Sequence, residues 1–215
     1  MTFPYAVLPA LVLLAAPGRA AGDEGDGGYY LELGAGLATF SEIDTSAGSA
    51  DFESGYSLDV LLGHRWCQVF DTGFDFSLEG EAYYAKVGFD DQLVIPSSSL
   101  VDYLAHGGVL LGGVIDWPCS EHISFYGGAA AGLATSLTLD SKGTASSDPE
   151  LEDDSAFIVQ GKLGVRYTMA QNLSWFLQYK HLQSEDITAS DSFLDQSFDF
   201  DIAEDAVEVG VRWGL

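Results

Sequence analysis

Basic residues are scarce. Only 8 of the 215 residues are Lys or Arg, against 33 Asp or Glu, for a formal net charge of −25. That excludes a nucleic-acid partner, because phosphate binding needs a basic surface. Long apolar runs are also missing beyond the N-terminus. No later segment reaches the ~18 apolar residues of a membrane-spanning helix. The richest, Val109 to Trp117, is broken by Gly112, Gly113 and Asp116. Cysteine is limited to Cys67 and Cys119, with no CxxC and no paired-His spacing beside them. A metal centre is therefore not expected, and no cofactor is implied. His64 and His106 are isolated as well, although His106 falls where it could join an internal network.

What is present begins with an apolar core, Ala6 to Ala16, followed by the small residues Gly18, Ala20 and Ala21. This reads as a secretory signal cleaved near Ala20 or Ala21, despite lacking a basic leader. Pro4, Pro9 and Pro17 argue against a buried N-terminal helix, since proline removes donors and clashes with the preceding turn. The expected organisation is a signal peptide over 1–21, a short flexible segment over 22–28 and one domain over 29–215. An exported chain without a helical anchor is either a soluble periplasmic protein or an outer-membrane barrel.

Hydrophobic periodicity separates these two. Val207, Val209, Val211, Trp213 and Leu215 alternate with Glu208, Gly210, Arg212 and Gly214. This is the two-residue period of a strand. The pattern recurs and predicts eight strands, near 29–40, 55–66, 74–89, 101–117, 122–139, 155–169, 173–183 and 206–215. Each is long enough to cross lipid when tilted. Connections alternate between short (67–73, 118–121, 170–172) and long and polar (41–54, 90–100, 140–154, 184–205). Short periplasmic turns and long extracellular loops follow from that rhythm, with aromatics near strand ends as interfacial girdles. The fold class is all-β, an eight-stranded antiparallel transmembrane β-barrel.

The second face of each strand carries the charge. Arg65, Lys162, Arg166, Lys180 and Arg212 share inward parity with Glu32, Asp59, Glu79, Glu81 and Glu208, and with Gln160 and Gln178. Charges inside a narrow barrel must be paired or hydrated. An ion-pair network in a polar, mostly plugged lumen with small water pockets is expected, since side chains can fill an eight-stranded barrel. A soluble sandwich would need the opposite arrangement, with the apolar face as its core.

Tyr30-Leu31-Glu32-Leu33-Gly34-Ala35-Gly36, Tyr126-Gly127-Gly128-Ala129-Ala130-Ala131-Gly132 and Gly210-Val211-Arg212-Trp213-Gly214-Leu215 carry a resemblance. The mature chain resembles the eight-stranded outer-membrane protein β-barrel family, small porin-like surface proteins related to the transmembrane domain of outer-membrane protein A. The resemblance implies a Gram-negative outer membrane, contact with its lipid and lipopolysaccharide, and delivery by the barrel-assembly machinery. The family usually ends in Phe, which that machinery recognises. Here Val211, Trp213 and Leu215 take the place of that signal. No peptidoglycan-binding domain is expected after Leu215.

Three constellations could carry chemistry. Cys67 and Cys119 lie in turns on the same rim, where an oxidising compartment permits either a disulfide or two free thiols. The long loops hold most of the acidic residues, with dense runs at 148–154 and 195–205. They could bind divalent cations or simply limit aggregation, and no calcium-loop spacing is present. Finally, His181-Leu182-Gln183-Ser184-Glu185 faintly resembles the His-x-Ser element of outer-membrane lipid A deacylases. Strand parity opposes it, because His181 shares a face with Gln183 and not with Ser184, and Glu185 replaces the usual Asn.

The functional expectation is a monomeric, non-enzymatic barrel with a structural or surface-presenting role. A narrow porin-like ion channel and a lipid A-modifying esterase are the alternatives.

Overall fold

The alternation just described becomes a closed sheet. The structure, a computed structural model, describes residues 27–40, 43–45, 48–50, 54–67, 73–94, 100–141, 150–151, 155–185, 187–191 and 196–215. The elements in chain order are β1 (Gly28–Phe40), β2 (Ile43–Thr45), β3 (Gly48–Ala50), β4 (Gly55–Trp66), β5 (Asp75–Val94), β6 (Leu100–Pro118) and β7 (Ile123–Ser141). They continue with β8 (Glu150–Leu151), β9 (Ala156–Ala170), β10 (Leu173–Ser184), β11 (Ile187–Asp191), β12 (Gln196–Phe200) and β13 (Ala203–Gly214). Eight of them close a barrel in the order β1-β13-β10-β9-β7-β6-β5-β4. Every neighbouring pair is antiparallel. No described helix is long and apolar enough to cross a membrane.

All eight expected strands are present, and the differences lie at the long-connection end. β5 and β6 run further than expected, since Leu93↔Val101 and Val94↔Leu100 continue their ladder. β13 begins at Ala203 rather than 206, because Glu204 and Asp205 pair with Phe40 and Thr39 of β1. Two acidic residues there disguise a paired strand as loop. Short strands also form outside the barrel: β2 with β3, and a small sheet of β12, β11 and β8. The signal over 1–21 and most of the acidic loops lie outside the described residues.

Residue parity decides which face meets which solvent. Leu37 is 70% exposed, Leu111 62% and Leu163 60%, whereas Glu32 is 1% exposed and Glu208 0%. A water-soluble barrel would aggregate through such a wall. In lipid the same wall is the stable arrangement, and the closed sheet leaves no unpaired edge. Trp66, Phe76, Trp117, Phe125, Trp175 and Trp213 project outward at the short-turn end, and Tyr56, Tyr84, Phe157 and Tyr179 at the other.

The lumen is layered, which corrects the expectation of a polar interior throughout. Toward the long connections it is apolar: Phe40, Val87, Leu104, Ile158 and Leu182 are buried against one another. Ile187 and Ile202, from the connection between β10 and β13, join this cluster. Ser184 fastens the base of that connection. Its N–H donates to Ile202 O at 2.9 Å, and its Oγ accepts from Ile202 N–H at 2.8 Å. Beneath this layer the interior is ionic.

Inward aromatics need room, and facing glycines supply it. Tyr30 stands opposite Gly63, Phe176 opposite Gly210 and Tyr126 opposite Gly164. A Cβ on Gly63 would sit 2.3 Å from the Tyr30 ring, and one on Gly210 2.3 Å from the Phe176 ring. Each ring therefore lies over its neighbour's bare backbone, a device that also protects the glycine's ladder bonds.

Candidate functional site

The ionic layer is a branched chain of alternating charge. Lys180 on β10 lies 3.0 Å from each of Asp59, Glu81 and Glu208. An ammonium has three N–H donors, so each carboxylate takes one. Glu81 continues to Lys162 at 3.5 Å, and Lys162 also pairs with Glu79. Glu79 receives Arg212 Nη2 at 3.1 Å, and Arg212 Nε donates to Glu32 at 2.6 Å. Arg166 closes the series on Asp116. Two further approaches, Arg166 to Glu32 and Arg212 to Asp116, are 4.0 Å, a span that water can mediate.

Six carboxylates (Glu32, Asp59, Glu79, Glu81, Asp116, Glu208) thus face four cations (Lys162, Arg166, Lys180, Arg212), all of them buried. Neutral groups take up remaining valences. Ser57 Oγ donates to Glu208 at 2.7 Å, Gln178 Nε2 donates to Glu208 at 2.8 Å and Gln160 Nε2 donates to Glu81 at 3.1 Å. Tyr126 OH donates to Gln178 at 3.0 Å, and Tyr30 OH donates to Glu79. The guanidinium of Arg212 also lies over the Tyr30 ring at 3.7 Å, and that of Arg166 over Tyr126 at 4.4 Å. Such stacking suits a planar, weakly hydrated cation. These bonds cross-brace the lumen, while Asp59 Oδ1, Asp116 Oδ2, Gln160 Oε1, Arg166 Nε and Nη2 and Arg212 Nη1 are buried without a hydrogen-bond partner among the described residues.

Nine of the ten residues expected in the network meet in it. Arg65 does not: it pairs with Asp75 at the short-turn end, and its side chain is 39% exposed. Asp116, Glu204 and Asp75 were not anticipated. All three sit on inward parity, but Asp116 lies in the apolar run of β6, and Glu204 lies where a loop was expected. Glu204 holds His106 Nε2 at 2.7 Å within the apolar layer, opposite Phe40 and Leu182, and His106 Nδ1 is 3.3 Å from Tyr83 OH. The inward parity of His106 was the signal that found it.

The remaining candidates are separate from this network. Cys67 and Cys119 are two free thiols, and the structure does not join them in a disulfide. They follow β4 and β6, which flank β5 rather than each other. Two strand spacings of ~4.8 Å exceed the ~7 Å Cα limit for a bridge. Val211, Trp213 and Leu215 line up on the outer face, and Leu215 N–H donates to Tyr29 O at 2.9 Å. His181 and Ser184 lie on opposite faces of β10. Ser184 is buried as the clasp described above, while His181 projects outward with Nδ1 2.9 Å from Asp205, which also accepts from Tyr179 OH. Among the described residues no group of three or more His, Cys, Asp or Glu is arranged to hold a metal ion.

Known proteins share this architecture. Neisserial surface protein A aligns with 17% identity and a TM-score of 0.56, covering 89% of this chain and 100% of that one. The outer membrane protein OprG from Pseudomonas aeruginosa aligns with 12% identity and a TM-score of 0.56, covering 92% and 100%. AlkL, an outer membrane protein determined in lipid bilayers, aligns with 14% identity and a TM-score of 0.52, covering 93% and 95%. At these identities the likeness is one of fold. No curated protein matches the chain. The model of the outer membrane protein beta-barrel domain matches residues 6–213. The inverted polarity of the wall, the charged lumen and that match lead to one conclusion: the chain belongs to the outer membrane protein beta-barrel family and resides in the outer membrane.

Proposed function

We propose that this protein is a closed outer-membrane barrel whose work is structural and surface-presenting. The wall and lumen are a rigid mount, and the long acidic connections are the working part, engaging divalent cations or an external partner. The observation that carries this reading is the bracing of the lumen by side chains from opposite strands. Ion pairs bridge one half, and the buried Phe40, Leu104 and Ile158 cluster, with the His106–Glu204 pair beside it, lies in the other. An ion would have to break several buried pairs, each costing several kcal/mol, and then displace that cluster.

A narrow ion channel is the competing reading, favoured by the continuous column of charge between Asp59 and Asp116. Planar-bilayer recording separates the two. The refolded protein, shown to be folded by heat-modifiable gel mobility, should be silent. Discrete, ion-selective openings that change with Glu81→Gln would replace the anchor with a pore. An esterase has no such support, since His181 and Ser184 do not share a face. An unchanged lipid A mass after incubation with the protein is the expected result.

A further inference from the structure

Six basic side chains lie among the described residues. Arg65, Lys162, Arg166, Lys180 and Arg212 all turn toward carboxylates of the lumen. Lys86 alone of these six faces the other way. On β5 it shares the outward parity of Tyr84, between the buried Ala85 and Val87. No carboxylate among the described residues pairs with it. Its ammonium instead lies 3.4 Å from the centroid of the Tyr103 ring.

The surroundings form an amphipathic patch on the outer wall. Tyr56 on β4 stands directly opposite Lys86. Tyr84 lies two residues along the same strand face, with its ring 6.2 Å from that of Tyr56. Tyr103 on β6 stands opposite Gly88, diagonal to Lys86, a separation that long and aromatic side chains bridge. Leu58, opposite Tyr84, continues the face toward the membrane centre and is 48% exposed. The cluster thus offers one ammonium and three tyrosines above an apolar surface. It lies at the long-connection end, which in bacterial barrels faces the outer leaflet.

We propose that Lys86, Tyr56, Tyr84 and Tyr103 form a docking site for the phosphate of an outer-leaflet lipid headgroup, with its acyl chain along Leu58. Charge complementarity selects the occupant. The chain carries a formal net charge of −25, and Lys86 is the membrane-facing Lys or Arg among the described residues. A ring face holds the ammonium without neutralising it, so its N–H donors and the neighbouring phenols remain able to meet phosphate oxygens.

The test titrates the refolded chain in zwitterionic detergent with diphosphoryl lipid A, and with the same lipid stripped of its phosphates. Binding is read by native mass spectrometry. The wild type should prefer the phosphorylated lipid. Lys86→Gln should weaken that binding about fivefold, the factor one lysine adds at an anionic membrane surface, and leave the stripped lipid unaffected. Lys86→Arg should restore the preference. Equal binding of both lipids by the wild type overturns the proposal, as does undiminished binding by a folded Lys86→Gln. If that variant does not fold, the comparison of the two lipids on the wild type still decides. Conductance plays no part in this readout, so the site can fail while the anchor reading stands.

Discussion

Arg212 and Glu32 face each other across the seam where the last strand meets the first, with Nε 2.6 Å from the carboxylate. They are directly opposed cross-strand partners, so the pair ties together the two ends of the barrel. Arg212 also reaches Glu79 two strands further on, which makes the seam part of the wider network.

A double-mutant cycle with Arg212→Met and Glu32→Gln should therefore reveal strong coupling. Direct neighbours in one ionic network couple by roughly 0.5–3 kcal/mol, and this buried pair belongs at the upper end. Urea unfolding in detergent, followed by heat-modifiable mobility, measures it. Additive single effects would mean that the seam is held by backbone pairing alone.

Glu79 accepts from Lys162, Arg212 and Tyr30. Glu79→Ala leaves two buried cations short of a partner, which costs about 3–5 kcal/mol when a buried pair is broken. Asp195→Ala, in the acidic run of the last long connection, should cost less than Glu79→Ala, since the sequence gives it no basic residue to pair with nearby. Equal unfolding midpoints for the two variants would falsify the structural role of the network.

Gly63→Ala places a methyl group 2.3 Å from the Tyr30 ring. Overpacking of this kind typically costs about 1–3 kcal/mol. The double variant with Tyr30→Leu should recover part of the loss, because it removes the ring that the methyl meets. Failure of the double variant to exceed Gly63→Ala in stability would point to backbone effects instead.

Cys67 and Cys119 should both react with a maleimide in the unfolded chain without prior reduction. Mass spectrometry should show two additions. Folded protein should react first at Cys119, which is exposed while Cys67 is half-buried. Labelling that requires a reductant would mean a bridge, and a movement of the turns beyond their present separation.

Much of this architecture is legible residue by residue. The alternation from Val207 to Leu215 reports a strand because side chains on extended backbone point to opposite faces. The charge on Arg212 and Glu208 reports which face is the lumen, because lipid does not accept them. Parity also places Lys180, Asp59, Glu81 and Glu208 on the same inward face, since side chains two residues apart share a side of the sheet. Glu204 and Asp116 escaped notice for local reasons: one sits in an acidic stretch that resembles a loop, the other in an apolar one.

The sequence by itself determined the strands, their faces, the outer-membrane setting and most members of the ionic network, because period and polarity are local properties of the chain. Only the tertiary structure decided which charges touch. It gave Arg65 Asp75 as its partner in place of the network carboxylates and parted Cys67 from Cys119 by an intervening strand. It also set Ile187 and Ile202 into the mouth and left Lys86 facing the membrane. Those outcomes depend on strand order and register around a closed sheet, and residues distant in the chain acquire neighbours only when that sheet closes.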